Sequence, residues 1–183
     1  MATELAKYFL ALVPQGQIQK EATAMKEELK LLFNLKYALK SPAHVTVKMP
    51  FNYNELKEER LISKMQNFLS LYPTFHLELK GFDRFGKRVI FIHVRPSAVL
   101  NQLQENLGKF CKLELKLNNE LSDRAFHPHM TLAFKDIKPN KFESYWQHIK
   151  SKEFQATYAV EDLALLKRIG GRWEVIHRFI LKG

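Results

Sequence analysis

Cysteine, glycine and proline are all scarce in this chain of 183 residues. Cys111 is the only cysteine, so the chain cannot form an internal disulfide and its sequence gives no indication of an oxidising compartment. The seven glycines and seven prolines are scattered, without a linker or a low-complexity segment. We therefore expect residues 1–183 to form a single domain.

Long hydrophobic runs are also missing. No stretch reaches the roughly 18 apolar residues that a membrane-spanning helix needs. The N-terminal segment lacks the basic start and the small-residue cleavage site of a signal peptide. These absences predict a cytoplasmic protein without a membrane segment, and we expect it to be a monomer.

Acidic residues are outnumbered by basic ones. Asp and Glu total 19 against 29 Lys and Arg, which gives a formal net charge of +10. A positive field attracts phosphates, nucleic acids or anionic membrane surfaces. The alternative is that the charge serves only solubility. The 14 phenylalanines and an apolar content of 46% are ample for a hydrophobic core.

Helical and strand-like patterns alternate along the chain. Apolar residues recur at helical spacing over 16–33, and shorter helical stripes begin near Leu61, Leu100 and Phe142. Alternating or β-rich segments predict strands at 7–13, 44–49, 75–82, 88–94, 129–134, 154–160, 162–169 and 172–181. Pro50 is expected to end the strand 44–49. The pattern favours an α+β fold with two antiparallel sheets and helices outside them.

Two short motifs carry the functional argument. They are His44-Val45-Thr46-Val47 and His129-Met130-Thr131-Leu132, and both fall on predicted strands. Residues i and i+2 of a strand point to the same face, so each motif presents one imidazole and one hydroxyl to a common side. Two such strands side by side would line a cleft with two histidines and two threonines.

This set of side chains suits displacement at phosphorus. The reaction needs a base on the attacking side and an acid on the leaving side, and imidazole can do either near neutral pH. The hydroxyls of Thr46 and Thr131 can hold the phosphate oxygens. One such motif alone is more typical of a half-exposed strand with a surface histidine. The occurrence of two motifs in a basic chain favours the catalytic interpretation.

A metal site is the less favoured interpretation of the second motif. His127 and His129 have a spacing that is also found in metal sites, but a catalytic metal needs about three protein ligands. No acidic residue or cysteine is patterned with them. We predict a reaction without metal or cofactor.

Five further residues are candidates for substrate binding. Strand alternation places Lys48 on the same face as Thr46, as a phosphate contact. Arg124 could neutralise a phosphate or brace the loop before Pro128, and His127 could line the mouth of the groove. Phe51 and Phe126 could stack on a base, although core packing is the more common role for at least one of them.

Taken with these motifs, the sequence resembles the two-histidine phosphoesterase superfamily, and within it the bacterial 2′-5′ RNA ligase group of RNA 2′,3′-cyclic phosphodiesterases. The opening strand YFLAL, both motifs and the terminal segment 162–181 carry the likeness, as does the block Arg124–Phe134. Lys48-Met-Pro-Phe51 stands where the RNA group usually has Arg-Phe-Leu-Gly, and Phe134 replaces a frequent Arg.

The resemblance implies a bilobal α+β fold with two pseudo-symmetric lobes and an active-site groove between them. His44 and His129 match the catalytic histidines, with His129 as the base that activates water and His44 as the acid. Thr46 and Thr131 match the phosphate-binding hydroxyls. The implied substrates are RNA ends or cyclic nucleotides with 2′,3′-cyclic phosphates. Two alternatives remain open: a nucleic-acid-binding module without turnover, and an esterase for another small cyclic phosphate.

Overall fold

The computed structural model describes residues 4–183. Its eight strands are β1 (Leu5–Leu12), β2 (Val45–Asn54), β3 (Phe75–Phe85), β4 (Val89–Val94), β5 (His129–Phe134), β6 (Gln155–Val160), β7 (Asp162–Ile169) and β8 (Arg172–Ile180). The helices are α1 (Gly16–Phe33), α2 (Glu58–Leu69), α3 (Ala98–Glu114), α4 (Leu121–Arg124) and α5 (Phe142–Lys150). A short 3₁₀ turn, Tyr37–Lys40, precedes β2. The predicted α+β class is confirmed.

The strands lie in the order β6-β3-β4-β5-β2-β1-β7-β8, and all neighbouring pairs are antiparallel. The middle junction, between β2 and β5, contains one paired position, Val45 with Met130. This narrow junction separates two four-stranded lobes, as the resemblance implied. We name them the His44 lobe (β2, β1, β7, β8) and the His129 lobe (β5, β4, β3, β6).

The two lobes do not correspond to the two halves of the chain. β7 and β8, near the C-terminus, complete the His44 lobe beside β1. The helices are exchanged in the same way. In the His129 lobe, α1 packs on β5 and α5 on β3, and in the His44 lobe, α2 packs on β8 and α3 on β2. Each lobe therefore takes strands from both halves of the chain.

Strand β2 departs from the predicted strand 44–49 because it continues through Pro50 to Asn54. Two irregularities in its pairing with β1 interrupt the ladder, one between Leu10 and Ala11 and one between Tyr8 and Leu10. Pro50 falls in the second bulge, where its missing N–H removes no ladder hydrogen bond. The proline is therefore accommodated within the strand and does not end it.

Within residues 4–183, the helices all fall short of the combination of length and apolarity that crossing a membrane requires.

Candidate active site

The β2–β5 junction brings the two motifs together. Val45 pairs with Met130, and both side chains are buried in the core. Their sequence neighbours therefore point to the opposite face. Continuing the antiparallel register by one residue in each direction sets His44 across from Thr131 and Thr46 across from His129. The four predicted residues thus line one face of the junction, with each imidazole opposite the hydroxyl of the other motif.

The two imidazoles are held in the same way. Nδ1 of His44 lies 2.8 Å from the carbonyl oxygen of Pro42, and Nδ1 of His129 lies 2.7 Å from that of His127. A carbonyl oxygen can only accept, so Nδ1 carries the proton in both rings. This fixes the tautomer and leaves each Nε2 free to accept or donate a proton.

Aromatic rings support both histidines from the sides. The ring centroid of Phe9, on β1, lies 5.0 Å from that of His44. Phe85 and Phe91, on β3 and β4, lie 4.9 and 5.0 Å from the His129 ring. Phe9 also belongs to a small apolar cluster that is separate from the main core and that includes Ala11 and Leu166. This cluster forms the floor of the groove in the His44 lobe.

Burial shifts both imidazoles toward their neutral forms. The pKa of His44 is lowered to about 4, chiefly by burial, with smaller contributions in the same direction from the charges on Lys26 and His129, while the hydrogen bond to Pro42 opposes the shift. Burial also lowers the pKa of His129, with His127 adding to the effect and the bond to the His127 carbonyl opposing it. An anion bound between the two rings would raise both pKa values.

Lys48 does not face the groove, which corrects its predicted placement. The bulge between Thr46 and Lys48, opposite Ala11 and Leu10, turns the Lys48 side chain to the core, where it is 1% exposed. Its Nζ lies 2.5 Å from Oδ2 of Asp123 and donates to the carbonyl oxygen of Asn118. Oδ1 of Asp123 in turn accepts the N–H of Met49. This buried pair ties β2 to the segment that leads into the second motif.

The other predicted binding residues are divided between core and surface. Phe51 is buried and stacks on Tyr8, so it is not placed to contact a base. Phe126 is half-buried and packs against the main core. Arg124 and His127 are exposed, and His127 meets the edge of Phe85 at 5.0 Å between centroids. Through this contact, His127 lies beside a ring that supports His129.

Sequence reasoning missed Lys26 and the supporting phenylalanines. Lys26 is 2% exposed, its Nζ donates to the carbonyl oxygens of Ala38 and Ser41, and burial lowers its pKa to about 8. A signal for it existed, because Lys26 lies four residues after Ala22 and three before Leu29 on the buried stripe of α1. Phe9 also had a signal, since it alternates with the core residues of β1.

Groups of three or more His, Cys, Asp or Glu side chains that could hold a metal ion do not occur within residues 4–183. The prediction of a reaction without metal or cofactor stays a prediction.

Known proteins resemble this chain over nearly its whole length. An inferred phosphoesterase of Geobacillus thermodenitrificans is 25% identical to this chain, and the alignment covers 97% of each protein. A second, from Halalkalibacterium halodurans, is also 25% identical over 95% of this chain and 96% of its own length. Escherichia coli LigT in complex with 3′-AMP superposes with a TM-score of 0.71 at 20% identity, covering 98% of this chain and 100% of LigT. A protein of Thermus thermophilus has a TM-score of 0.66 at 17% identity, covering 97% and 98%.

The two solved structures establish the likeness in fold. The sequence profile of the 2′-5′ RNA ligase superfamily matches residues 14–172, a span that contains both motifs. The chain therefore belongs to the 2′-5′ RNA ligase superfamily of two-histidine phosphoesterases.

Proposed function

We propose that this protein is a metal-independent phosphodiesterase that opens 2′,3′-cyclic phosphates at RNA ends or on nucleotides, with the whole chain acting as one two-lobed domain. The observation that carries the proposal is the matched pair of imidazoles. Both donate from Nδ1 to a carbonyl oxygen two residues upstream, and both lie on the face shared with the two threonines.

The reaction needs both rings at once. A water oxygen bonds to phosphorus while the bond to one ribose oxygen breaks. One neutral Nε2 takes the proton of the water, and the other ring, protonated at Nε2, gives its proton to the leaving ribose oxygen. The products are a ribose hydroxyl and a phosphomonoester. Thr46 and Thr131 donate hydrogen bonds to the non-bridging oxygens, where charge develops.

The lowered pKa values give the mechanism a characteristic pH dependence. If His44 is the acid, as the resemblance implies, the bound phosphate must raise its pKa well above the value of about 4 in the free protein. The profile of kcat/KM reports the free protein, and that of kcat reports the bound complex. We therefore expect a bell-shaped kcat/KM profile with its maximum on the acidic side of pH 6.5, and a kcat maximum at higher pH.

The first test is turnover of an oligoribonucleotide with a 2′,3′-cyclic phosphate end in the presence of EDTA. Cleavage that survives EDTA and is lost in both His44→Ala and His129→Ala supports the proposal. His76→Ala is the matched control, because His76 is an exposed histidine on β3, outside both motifs. Cleavage that EDTA abolishes, or that persists in both motif variants, would contradict the mechanism. If the wild type cleaves neither this substrate nor a cyclic mononucleotide, the proposed substrate class is wrong.

A further inference from the structure

Three elements meet at one end of the groove. The pairing of β5 with β4 shifts between Phe91 and Ile90, which leaves Ala133 in the core. The groove face of β5 therefore continues from Thr131 to Phe134, whose ring meets that of Tyr37 edge-on at 5.1 Å between centroids. The next residue, Lys135, follows β5, while the 3₁₀ turn Tyr37–Lys40 packs against β5 and the β7–β8 hairpin begins after Ile169. Together, their side chains form what we call the basic cluster. Its members are Tyr37, Lys40, Lys135, Arg168 and Arg172.

The Tyr37 ring is the centre of the basic cluster. Nζ of Lys135 lies 3.1 Å from Tyr37 Oη and 4.7 Å from the ring centroid, while Nζ of Lys40 lies 4.6 Å from that centroid. Hydrogen bonds from Lys135 and then from Arg168 lower the pKa of Tyr37. Lys135 belongs to the His129 lobe and Arg168 to the His44 lobe. The cluster therefore spans the groove.

The cations of the basic cluster lack acidic partners. Among residues 4–183, none of the ion pairs includes Lys40, Lys135, Arg168 or Arg172. The neighbouring Asp136 directs Oδ2 to the N–H groups of Lys36 and Tyr37, both at 2.7 Å. This carboxylate holds the 3₁₀ turn in place without forming an ion pair with the cluster.

Surfaces on both sides extend the basic cluster toward the catalytic histidines. An open pocket of about 500 Å³ includes Lys87, Arg88 and Lys135, and one of its walls is Phe85, which touches His129. On the other side, the Arg168 guanidinium lies 5.5 Å from the Trp173 ring centroid. Trp173 packs edge-on against Phe9, which contacts His44. Aromatic faces alternating with unpaired cations are typical of single-stranded nucleic acid sites.

We propose that the basic cluster binds the backbone of the nucleotides that precede the reacting phosphate, so that the preferred substrate is a single-stranded oligoribonucleotide end. This inference rests on the proposed function. A 2′,3′-cyclic phosphate closes the 3′ end of a strand, so the rest of the RNA lies on its 5′ side. In the proposed binding mode, this 5′ segment leaves the groove past Tyr37. A cyclic mononucleotide has no further phosphates to reach the cluster.

The test compares two substrates, a cyclic-phosphate-ended pentaribonucleotide and a 2′,3′-cyclic mononucleotide, on Arg168→Gln and Lys135→Gln. We expect kcat/KM for the pentamer to fall about five- to tenfold in each variant, because each removes one phosphate contact. The loss on the mononucleotide should be much smaller. Lys112→Gln is the matched control, since Lys112 is an exposed lysine on α3 and its loss changes the net charge equally.

Binding provides a second measurement that does not depend on turnover. The affinity for a 3′-phosphate-ended pentamer is measured against salt concentration, and each variant should reduce the slope of log affinity against log salt by about 0.7. Equal losses on both substrates, unchanged pentamer kinetics, or equal wild-type kcat/KM for pentamer and mononucleotide would overturn the proposal. If the wild type cleaves neither substrate, the proposed function fails, and the salt slopes alone decide whether the basic cluster binds RNA.

Discussion

The two motifs of the site share a geometry but differ in their surroundings. Both imidazoles donate from Nδ1 to a carbonyl two residues upstream, and both pack against phenylalanine. The neighbouring charged groups differ, however. Near His44 it is the buried cation Lys26, and near His129 it is the exposed His127. Backbone geometry therefore sets the two tautomers alike, while the environment sets each proton affinity separately.

The largest expected effect is the loss of kcat when either motif histidine is removed. His44→Ala and His129→Ala should each lower kcat by about 10²–10⁴-fold, because each removes one proton-transfer group. The double variant should lose little more than either single one, since the rings act together. Steady-state kinetics on the cyclic-phosphate oligonucleotide measures all three. Losses that multiply in the double variant would show that the rings act independently.

A second difference between the motifs lies two residues after each threonine, where the first has Lys48 and the second has the small buried Ala133. Lys48→Met should lower the free energy of unfolding by about 3–5 kcal/mol, because it leaves the buried Asp123 carboxylate without its cation. Urea unfolding measures this loss. Arg124→Met, which changes an exposed cation one residue after Asp123, should stay within about 0.5 kcal/mol. Equal losses in the two variants would contradict a structural role for the pair.

The pH dependence of stability isolates the environment of His44. Its pKa is about 4 in the folded protein and 6.5 in the ordinary exposed state. Between these values the unfolded chain binds more protons, so stability is fully present above pH 6.5 and is lost as pH falls toward 4. We expect a contribution of roughly 2–3 kcal/mol, which His44→Gln removes and the exposed control His76→Gln retains. Urea unfolding at pH 7 and pH 4.5 measures it, and equal pH slopes for wild type and His44→Gln would refute it.

The smallest effects test the symmetry of the two hydroxyls. Thr46→Val and Thr131→Val should each lower kcat by about 10–100-fold, because each removes one hydrogen bond to a charged phosphate oxygen. The losses should be similar, since the register sets each threonine across from the other motif's histidine. Thr157→Val is the control, as its exposed hydroxyl bonds Glu78 on the neighbouring strand. A large inequality would show that one threonine alone holds the phosphate.

The positions of most elements could be predicted from sequence periodicity. The helix expected at 16–33 has those bounds in the structure, and the strand expected at 129–134 is β5. The placement of Lys48 could not be predicted, because a bulge inverts the strand alternation on which the inference depended. The sequence left Phe51 between base stacking and core packing, and the fold places it in the core because, after the bulges, it pairs with Tyr8 on the core side of β1.

The two His-x-Thr motifs could be read from the sequence alone, and strand alternation was enough to assign the face that each histidine shares with its threonine. Their meeting at one pair, Val45 with Met130, could be known only from the fold, because that contact joins segments 85 residues apart through long-range pairing. The fold likewise established the burial of His44 beside Lys26 and the convergence of Lys135 and Arg168 on Tyr37. Proton affinity and charge clustering depend on distances across the two lobes, and no local pattern encodes those distances.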